Sequence, residues 1–507
     1  MKHRPKRTTA RPPTLSLPLA WSVLLPLLLS ACAVGPHYVR PSVEAPAAFK
    51  ELDGWKRAQP QDAVIGAAWW QIYGDPLLDS LVAQVSISNQ NLAQAEARYR
   101  QAQALTEASR AAVYPTLGAN LSSTRSKSGS VGGQGGAQVT TNPVTGVTTT
   151  TGGSQGGPNN SNRLTLDASW ELDVWGRIQR AVDANRASAQ ASAGDLEAAR
   201  LLAQAQLTQN YFSLRSIDTQ QQLLERTLLD YQRSVQLNQN QYDAGIVAKS
   251  NLILAQTQLK TTQAQTLDLG VQRAQLEHAI ALLIGKAPSN FAITRAELAA
   301  VVPVIPVGLP SDLLERRPDV AAAERRVAAA NAEIGVATAA FFPRLTLSAT
   351  GGAQSNTIAD LLSLPNRFWS LGPQLAATLF DGGARRAQVA QAGAAYDGTV
   401  AAYRQTVLTG FQEVEDNLAA LRILEQEAAV QDEAVRLARR SVELTTNQYK
   451  SGIVTYLNVI QVQATALSNE RAALDVLNRR LTASVLLVKA LGGGWSQAVL
   501  PATATVK

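Results

Sequence analysis

Arg163-Leu164-Thr165-Leu166-Asp167-Ala168-Ser169-Trp170-Glu171-Leu172-Asp173-Val174 alternates apolar and polar side chains without a break. Successive side chains of an extended chain point to opposite faces. Leu164, Leu166, Ala168, Trp170 and Leu172 therefore share one face, and Thr165, Asp167, Ser169, Glu171 and Asp173 share the other. Three more stretches repeat the pattern. Thr116 to Ser122 sets Leu117, Ala119 and Leu121 against Gly118 and Asn120; Leu345, Leu347 and Ala349 oppose Thr346, Ser348 and Thr350; Leu371, Leu375 and Leu379 oppose Gln374 and Thr378. About ten residues of apolar-out, polar-in is the signature of a membrane β-strand, although a half-buried soluble sheet gives the same alternation. Aromatic residues favour the membrane. Tyr114, Trp170, Trp175, Phe341, Phe342 and Phe380 stand where strands meet helices, and Phe368-Trp369 stand near the opposite end. Those are the two levels that interfacial girdles require.

The strands belong to a longer sentence that the chain states twice: short helix, strand pair, very long helix, return helix. Asp173-Val174-Trp175-Gly176-Arg177 reappears as Asp381-Gly382-Gly383-Ala384-Arg385, an offset of 208, and Tyr242-Asp243-Ala244-Gly245-Ile246 as Tyr449-Lys450-Ser451-Gly452-Ile453, an offset of 207. Repetition at this scale marks an architectural unit. The expected boundaries are residues 91–285 and 318–492 for the two repeats, 32–90 and 286–317 for irregular segments before and between them, and 493–507 for a tail. A helix from about Asn91 to Val113 stops at Tyr114-Pro115, where proline forbids continuation. Asp75-Pro76 starts another, with an N-cap residue followed by proline at the first helical position.

The long helices dominate. Arg177 to Tyr242 holds no proline and one glycine, Gly194, and at about 1.5 Å per residue it spans about 100 Å. Val407, Val414, Leu421, Ala428, Val435 and Val442 recur every seventh residue; Leu207, Leu214, Leu228 and Val235 do so in the first copy, interrupted by Gln221. A seven-residue seam favours coiled-coil packing. The helices break at Gly245 and Gly452 and return antiparallel over roughly 248–285 and 456–492. Residues 126–162 hold ten glycines among Thr, Ser and Asn. Such a composition cannot build a core and predicts a mobile loop. Residues 351–366 make a shorter connection in the second copy.

Lys2, Arg4, Lys6, Arg7 and Arg11 followed by an apolar run from Leu15 to Leu29 read as a secretory signal, residues 1–31. Cys32, the single cysteine, excludes an intrachain disulfide. Without the five basic residues named, the balance of 46 Lys+Arg against 39 Asp+Glu becomes 41 against 39, so nothing in the composition argues for nucleic acid. Three scattered histidines and one cysteine make no metal set. Gly132-Gly133 and Gly135-Gly136 lie in the low-complexity loop and not in a phosphate cradle. Glu413, Glu415 and Asp416 on a long helix read as solvated or lumenal charges, and Arg317-Pro318-Asp319 as a helix start, with Asp319 favoured in the first turn. No catalytic residue is assigned.

Four strands cannot close a membrane barrel, because an open edge in lipid leaves N–H and C=O groups unpaired at several kcal/mol each. The smallest usual barrel has about eight strands, so copies of the chain must share one: two copies fill it, and three make a wider lumen of twelve strands.

Several motifs in order then resemble a known family: Ala31-Cys32 with Gly35-Pro36-His37-Tyr38, Trp69-Trp70 with Asp75-Pro76, Arg316-Arg317-Pro318-Asp319-Val320, Tyr449-Lys450-Ser451-Gly452, and Leu491-Gly492-Gly493-Gly494-Trp495. Together they resemble the outer membrane factors of Gram-negative tripartite efflux systems, in their lipoprotein branch, over essentially the whole mature chain. The resemblance implies a mainly α fold with membrane β: a homotrimer with a twelve-stranded β-barrel continued by a long α-helical barrel, internally duplicated, with a mixed equatorial region. It implies lipid on Cys32 as the only attached group, residence in the outer membrane, and two partners, a periplasmic adaptor and an inner-membrane pump of the RND type. Function would be passive exit of small molecules; protein export, or a surface-anchored coiled-coil structural lipoprotein, are the rival readings.

The resemblance also implies a gate at the periplasmic tip. Its carboxylate positions fall here on Asn458 and Gln461, its arginine on Val454 and an acidic partner on Asn251, while Tyr449 and the apolar Leu457 are retained. The ionic form of the lock is therefore missing, and the tips at Gly245 and Gly452 are the expected adaptor contacts.

Overall fold

The computed structural model describes residues 34–51, 68–127, 138–141, 148–151, 158–299, 301–305, 310 and 313–496. Its helices longer than five residues are α1 (Pro76–Ser88), α2 (Gln90–Ala111), α3 (Arg177–Asp243), α4 (Lys249–Leu283), α5 (Pro318–Ala339), α6 (Ala384–Lys450) and α7 (Tyr456–Ala490). Its strands are β1 (Thr116–Ser126), β2 (Gln138–Thr141), β3 (Thr148–Thr151), β4 (Asn159–Leu172), β5 (Arg344–Ser355) and β6 (Arg367–Ala376). Both long helices, α3 and α6, count 67 residues. Among the described residues no helix is long and apolar enough to cross a membrane.

Of the described residues, those within 34–37, 106–184 and 331–393 form one compact unit, and those within 38–105, 185–330 and 394–496 form another. The first is organised by an antiparallel sheet in the order β1-β4-β5-β6. Its register carries the alternation across all four strands. Leu117 pairs with Ala168, Ala168 with Ala349 and Ala349 with Leu371; one row on, Ala119, Leu166, Gly351 and Trp369 align. A one-residue slip in any pair would turn that strand's apolar set to the other face. Leu117, Leu121, Leu371 and Leu375 are largely exposed, so the described residues leave most of this face uncovered. Neither β1 nor β6 has a second strand neighbour among the described residues.

Several sequence expectations shift here. Residues 126–162 are not uniformly loop: β4 begins at Asn159, and β2 pairs with β3 in a Thr-rich hairpin. Threonine has strand propensity enough to pair where glycine is locally absent. Gly351 to Ser355 belong to β5, which shortens the second connection. Strand β6 ends at Ala376, so Leu379 and Phe380 lie beyond it, 94% and 87% exposed. The aromatic levels are less uniform than the sequence suggests. Trp170 and Trp369 stand on the apolar face, but Phe368 stands on the polar one, opposite Gly352. Trp175 stacks on Phe342 at 4.8 Å and donates its indole N–H to the Pro343 carbonyl at 2.8 Å.

The repeated aspartates have a structural duty. Asp173 accepts from the backbone N–H groups of Ile178 and Gln179 (3.0 and 2.7 Å) at the start of α3. Asp381 accepts from those of Gly383 and Arg385 at the start of α6. Together with the Arg385 guanidinium, these donors hold the Asp381 carboxyl at about 2. Also within this unit, Gly35 passes so close to Gly335 that a Cβ on it would lie 2.6 Å from the Gly335 Cα.

The second unit is helical. Its main apolar core gathers Trp69, Tyr73 and Leu78 with Leu207, Phe212 and Leu214 of α3, Val407, Val414 and Leu421 of α6, and Leu481, Leu487 and Val488 of α7. Leu207, Leu214, Val407, Val414 and Leu421 are the expected seam residues, here buried. Gln221, the exception to the seam, is also buried. Asp75 caps α1 as expected, accepting from Leu77 and Leu78, and receives the Tyr211 hydroxyl at 2.5 Å. Residues 293–298 are tied to α3 and α4 by buried charge. Asp218 bridges Arg215 and Arg273, and those guanidinium groups donate to the carbonyls of Thr294 and Ile293.

Candidate functional site

Both long helices end the same way. At α3 the N–H of Gly245 donates to the Tyr242 carbonyl at 2.9 Å and that of Ile246 to Gln241 at 2.8 Å; at α6 Gly452 donates to Tyr449 and Ile453 to Gln448, both at 2.9 Å. These paired bonds define the Schellman stop. Gly245 and Gly452 sit at φ of 73° and 75°, a left-handed conformation costly for any residue with a Cβ.

Side chains make the two tips different. Tyr449 donates its hydroxyl to the Gln241 side-chain oxygen of α3 at 2.8 Å, and its ring lies 5.4 Å from that of Tyr456. Tyr456 is 3% exposed and packs with Ala255 and Val459. Asn238 is fully buried 3.5 Å from the Tyr449 hydroxyl, and Gln258 donates to the buried Tyr231 hydroxyl at 3.3 Å. Burial raises the pKa of Tyr449, Tyr456 and Tyr231, so all three phenols are neutral in ordinary buffers.

Of the residues expected at the gate, the structure brings Tyr449 into this cluster, and the others are not among its members. Leu457 is 47% exposed on the first turn of α7. Asn458 is exposed next to it and accepts the Thr455 hydroxyl at 2.7 Å; Gln461, one turn on, is exposed too. Val454 is half-buried before the helix, and Asn251 is half-buried on the first turn of α4. Cys32 lies outside the described residues. Reading the sequence missed Tyr456, Gln241, Asn238 and Tyr231. The offset of 207 offered a signal for the first, since it sets Tyr456 opposite Lys249.

Two charge readings are corrected. Arg317 is buried, with two nitrogens on the Asp319 carboxylate and Nη1 on Glu413 (2.7 Å) and on the Ala490 carbonyl (3.2 Å). Lys489 meets the same Glu413 at 3.1 Å. Glu413 is therefore a structural ion-pair partner and not a solvated charge, because the cost of burying Arg317 demands one. Glu415 accepts the backbone N–H groups of Lys50 and Glu51 at 2.7 and 3.0 Å and fastens the N-terminal segment to α6.

The family model for outer membrane efflux proteins matches residues 81–286 and 309–493. The chain belongs to the outer membrane efflux protein family. It is 32% identical over 471 residues to the pyoverdine export outer membrane protein OpmQ of Pseudomonas aeruginosa, covering 92% of this chain and 95% of that protein. It is 31% identical to the outer membrane protein OprJ of the same organism, covering 94% and 96%. The solved outer-membrane channel OprN superposes with a TM-score of 0.82 at 29% identity, covering 92% of this chain and all of that one. As an outer membrane efflux protein, the chain combines a β-barrel sheet with helical-barrel helices, resides in the outer membrane and extends into the periplasm, where it serves as an efflux exit duct. That assignment removes the structural-lipoprotein reading.

Proposed function

We propose that three copies of this chain form one passive exit duct of a tripartite efflux pump. A single observation carries the reading: a four-stranded sheet with an exposed apolar face and two edges that have no strand neighbour among the described residues. In lipid those edges must pair, and three copies of four strands give a twelve-stranded barrel around a polar lumen. The two halves of each chain act as duplicated arms of the same wall, with lipid on Cys32 as a second anchor. A periplasmic adaptor at the Gly245 and Gly452 tips and an RND-type inner-membrane pump complete the pathway, and the chain itself performs no catalysis. Relatives named for pyoverdine, toluene and antibiotic efflux support small molecules, not proteins, as cargo.

The gate in this reading is uncharged. Leu457 packing against its copies closes the aperture, with Asn458, Gln461 and Asn251 as amide partners and Val454 in place of a cation. Each neutral hydrogen bond is worth about 1 kcal/mol, and such a lock responds weakly to salt. Purified protein should migrate as a heat-dissociable trimer; a monomer soluble without detergent would refute the barrel. In planar bilayers, Leu457→Ala and Gln461→Ala should raise the closed-state conductance, and unchanged values would refute the gate.

A further inference from the structure

The polar face of the sheet carries one feature that a plain water-filled wall does not need. At the loop-proximal end of β4, the Arg163 guanidinium lies 5.0 Å from the ring centroid of Phe368, a residue of β6. The strand between them, β5, presents Gly352 at that level, paired with Thr165 on one side and with Phe368 on the other. A Cβ on Gly352 would lie 2.2 Å from the Leu164 carbonyl oxygen, so the backbone approach admits no side chain there. The missing side chain lets arginine and phenylalanine meet across a whole strand. Thr165, on the same level, is buried although it belongs to the polar face, while Arg163 remains exposed.

Among the described residues Arg163 forms no salt bridge within contact distance; it meets the Phe368 ring and feels the Asp167 charge. Its nearest charge along the face is Asp167, four residues inward, whose carboxylate is held by the hydroxyls of Thr165 (2.9 Å) and Thr350 (2.8 Å). Arg163 therefore presents a guanidinium backed on one side by an aromatic ring, with N–H donors uncommitted among the described residues. A guanidinium so placed accepts a planar carboxylate in two parallel hydrogen bonds and stacks on a flat apolar body.

We propose that Arg163 and Phe368 form an exit collar that favours planar organic anions, aromatic carboxylates above all, at the outer mouth of the duct. The proposal rests on the trimeric reading above, which places three copies of the pair around one lumen. A twelve-stranded barrel has a backbone radius of about 12 Å, so three guanidinium groups reach within roughly one Debye length of the axis at 0.1 M salt.

The test uses the purified full mature protein in planar bilayers, with reversal potentials in a KCl gradient and block by 2-naphthoate as readouts. Arg163→Gln should lower the chloride-to-potassium permeability ratio by roughly two- to threefold, the effect of three screened unit charges near the axis, and should abolish the block. Arg163→Lys should keep the ion preference and lose most of the block, and Phe368→Leu should do the same. An unchanged permeability ratio in Arg163→Gln, or naphthoate block in the three variants as strong as in the wild type, overturns the collar. A wild-type protein that forms no channels overturns the duct reading instead.

Discussion

The tips at Gly245 and Gly452 share a backbone and an exposed isoleucine and differ in what their tyrosines touch. Each closes a 67-residue helix with the same pair of hydrogen bonds and the same left-handed glycine. Beyond that, the first tip carries exposed Tyr242 and Lys249, whereas the second carries Tyr449 bonded to Gln241 and Tyr456 buried among neighbours from other helices. Duplication kept the turn because only a few backbone geometries stop a helix. The side chains were free to diverge, and one tip became an anchored contact while the other stayed exposed.

The sharpest way to break this contrast is to remove the buried ring. Tyr456→Ala should destabilise by about 3–4 kcal/mol, the cost of emptying an aromatic site, and Lys249→Ala by less than about 0.5 kcal/mol; chemical unfolding followed by helical circular dichroism measures both. Equal losses would mean the tips are energetically alike. Gly245→Ala and Gly452→Ala probe what the tips share. Each should cost about 1–2 kcal/mol, since neither glycine has an atom near its missing Cβ and only the left-handed backbone is penalised.

Tyr449→Phe removes one hydroxyl. It should cost about 1 kcal/mol and raise the closed-state conductance, whereas Tyr242→Phe should change neither. The smallest effect concerns pH. Burial raises the Tyr449 pKa, so its contribution is fully present below the ordinary tyrosine value of about 10 and is lost only as pH climbs through the higher folded value. Closed-state conductance should stay flat from about pH 5 to about pH 9 and rise above about pH 10; a transition near pH 4 to 6 would reveal a carboxylate in the lock.

Much of the frame was legible because its signals are local. The expected helix from Arg177 to Tyr242 runs to Asp243, and the strand read at Arg163 to Val174 is β4. Glycine and proline punctuate the backbone at fixed offsets, and alternation is a property of neighbours in sequence. The site was legible only in part. Tyr449 and Leu457 stand out by position, but the partners of Tyr449 lie 208 and 211 residues away, and no pattern along the chain announces them. Glu413 misled for the same reason: Arg317, which it neutralises, is 96 residues distant.

By itself the sequence determined where the chain turns, which strand faces are apolar, and that four strands leave edges to be shared. Those follow from steric rules and from the transfer of apolar groups out of water, which act residue by residue. Only the tertiary structure decided that Phe368 faces Arg163 and not lipid, that Glu413 and Glu415 are fasteners, and that one tip is anchored. Each of these depends on the register and packing that bring distant side chains within hydrogen-bond or van der Waals reach.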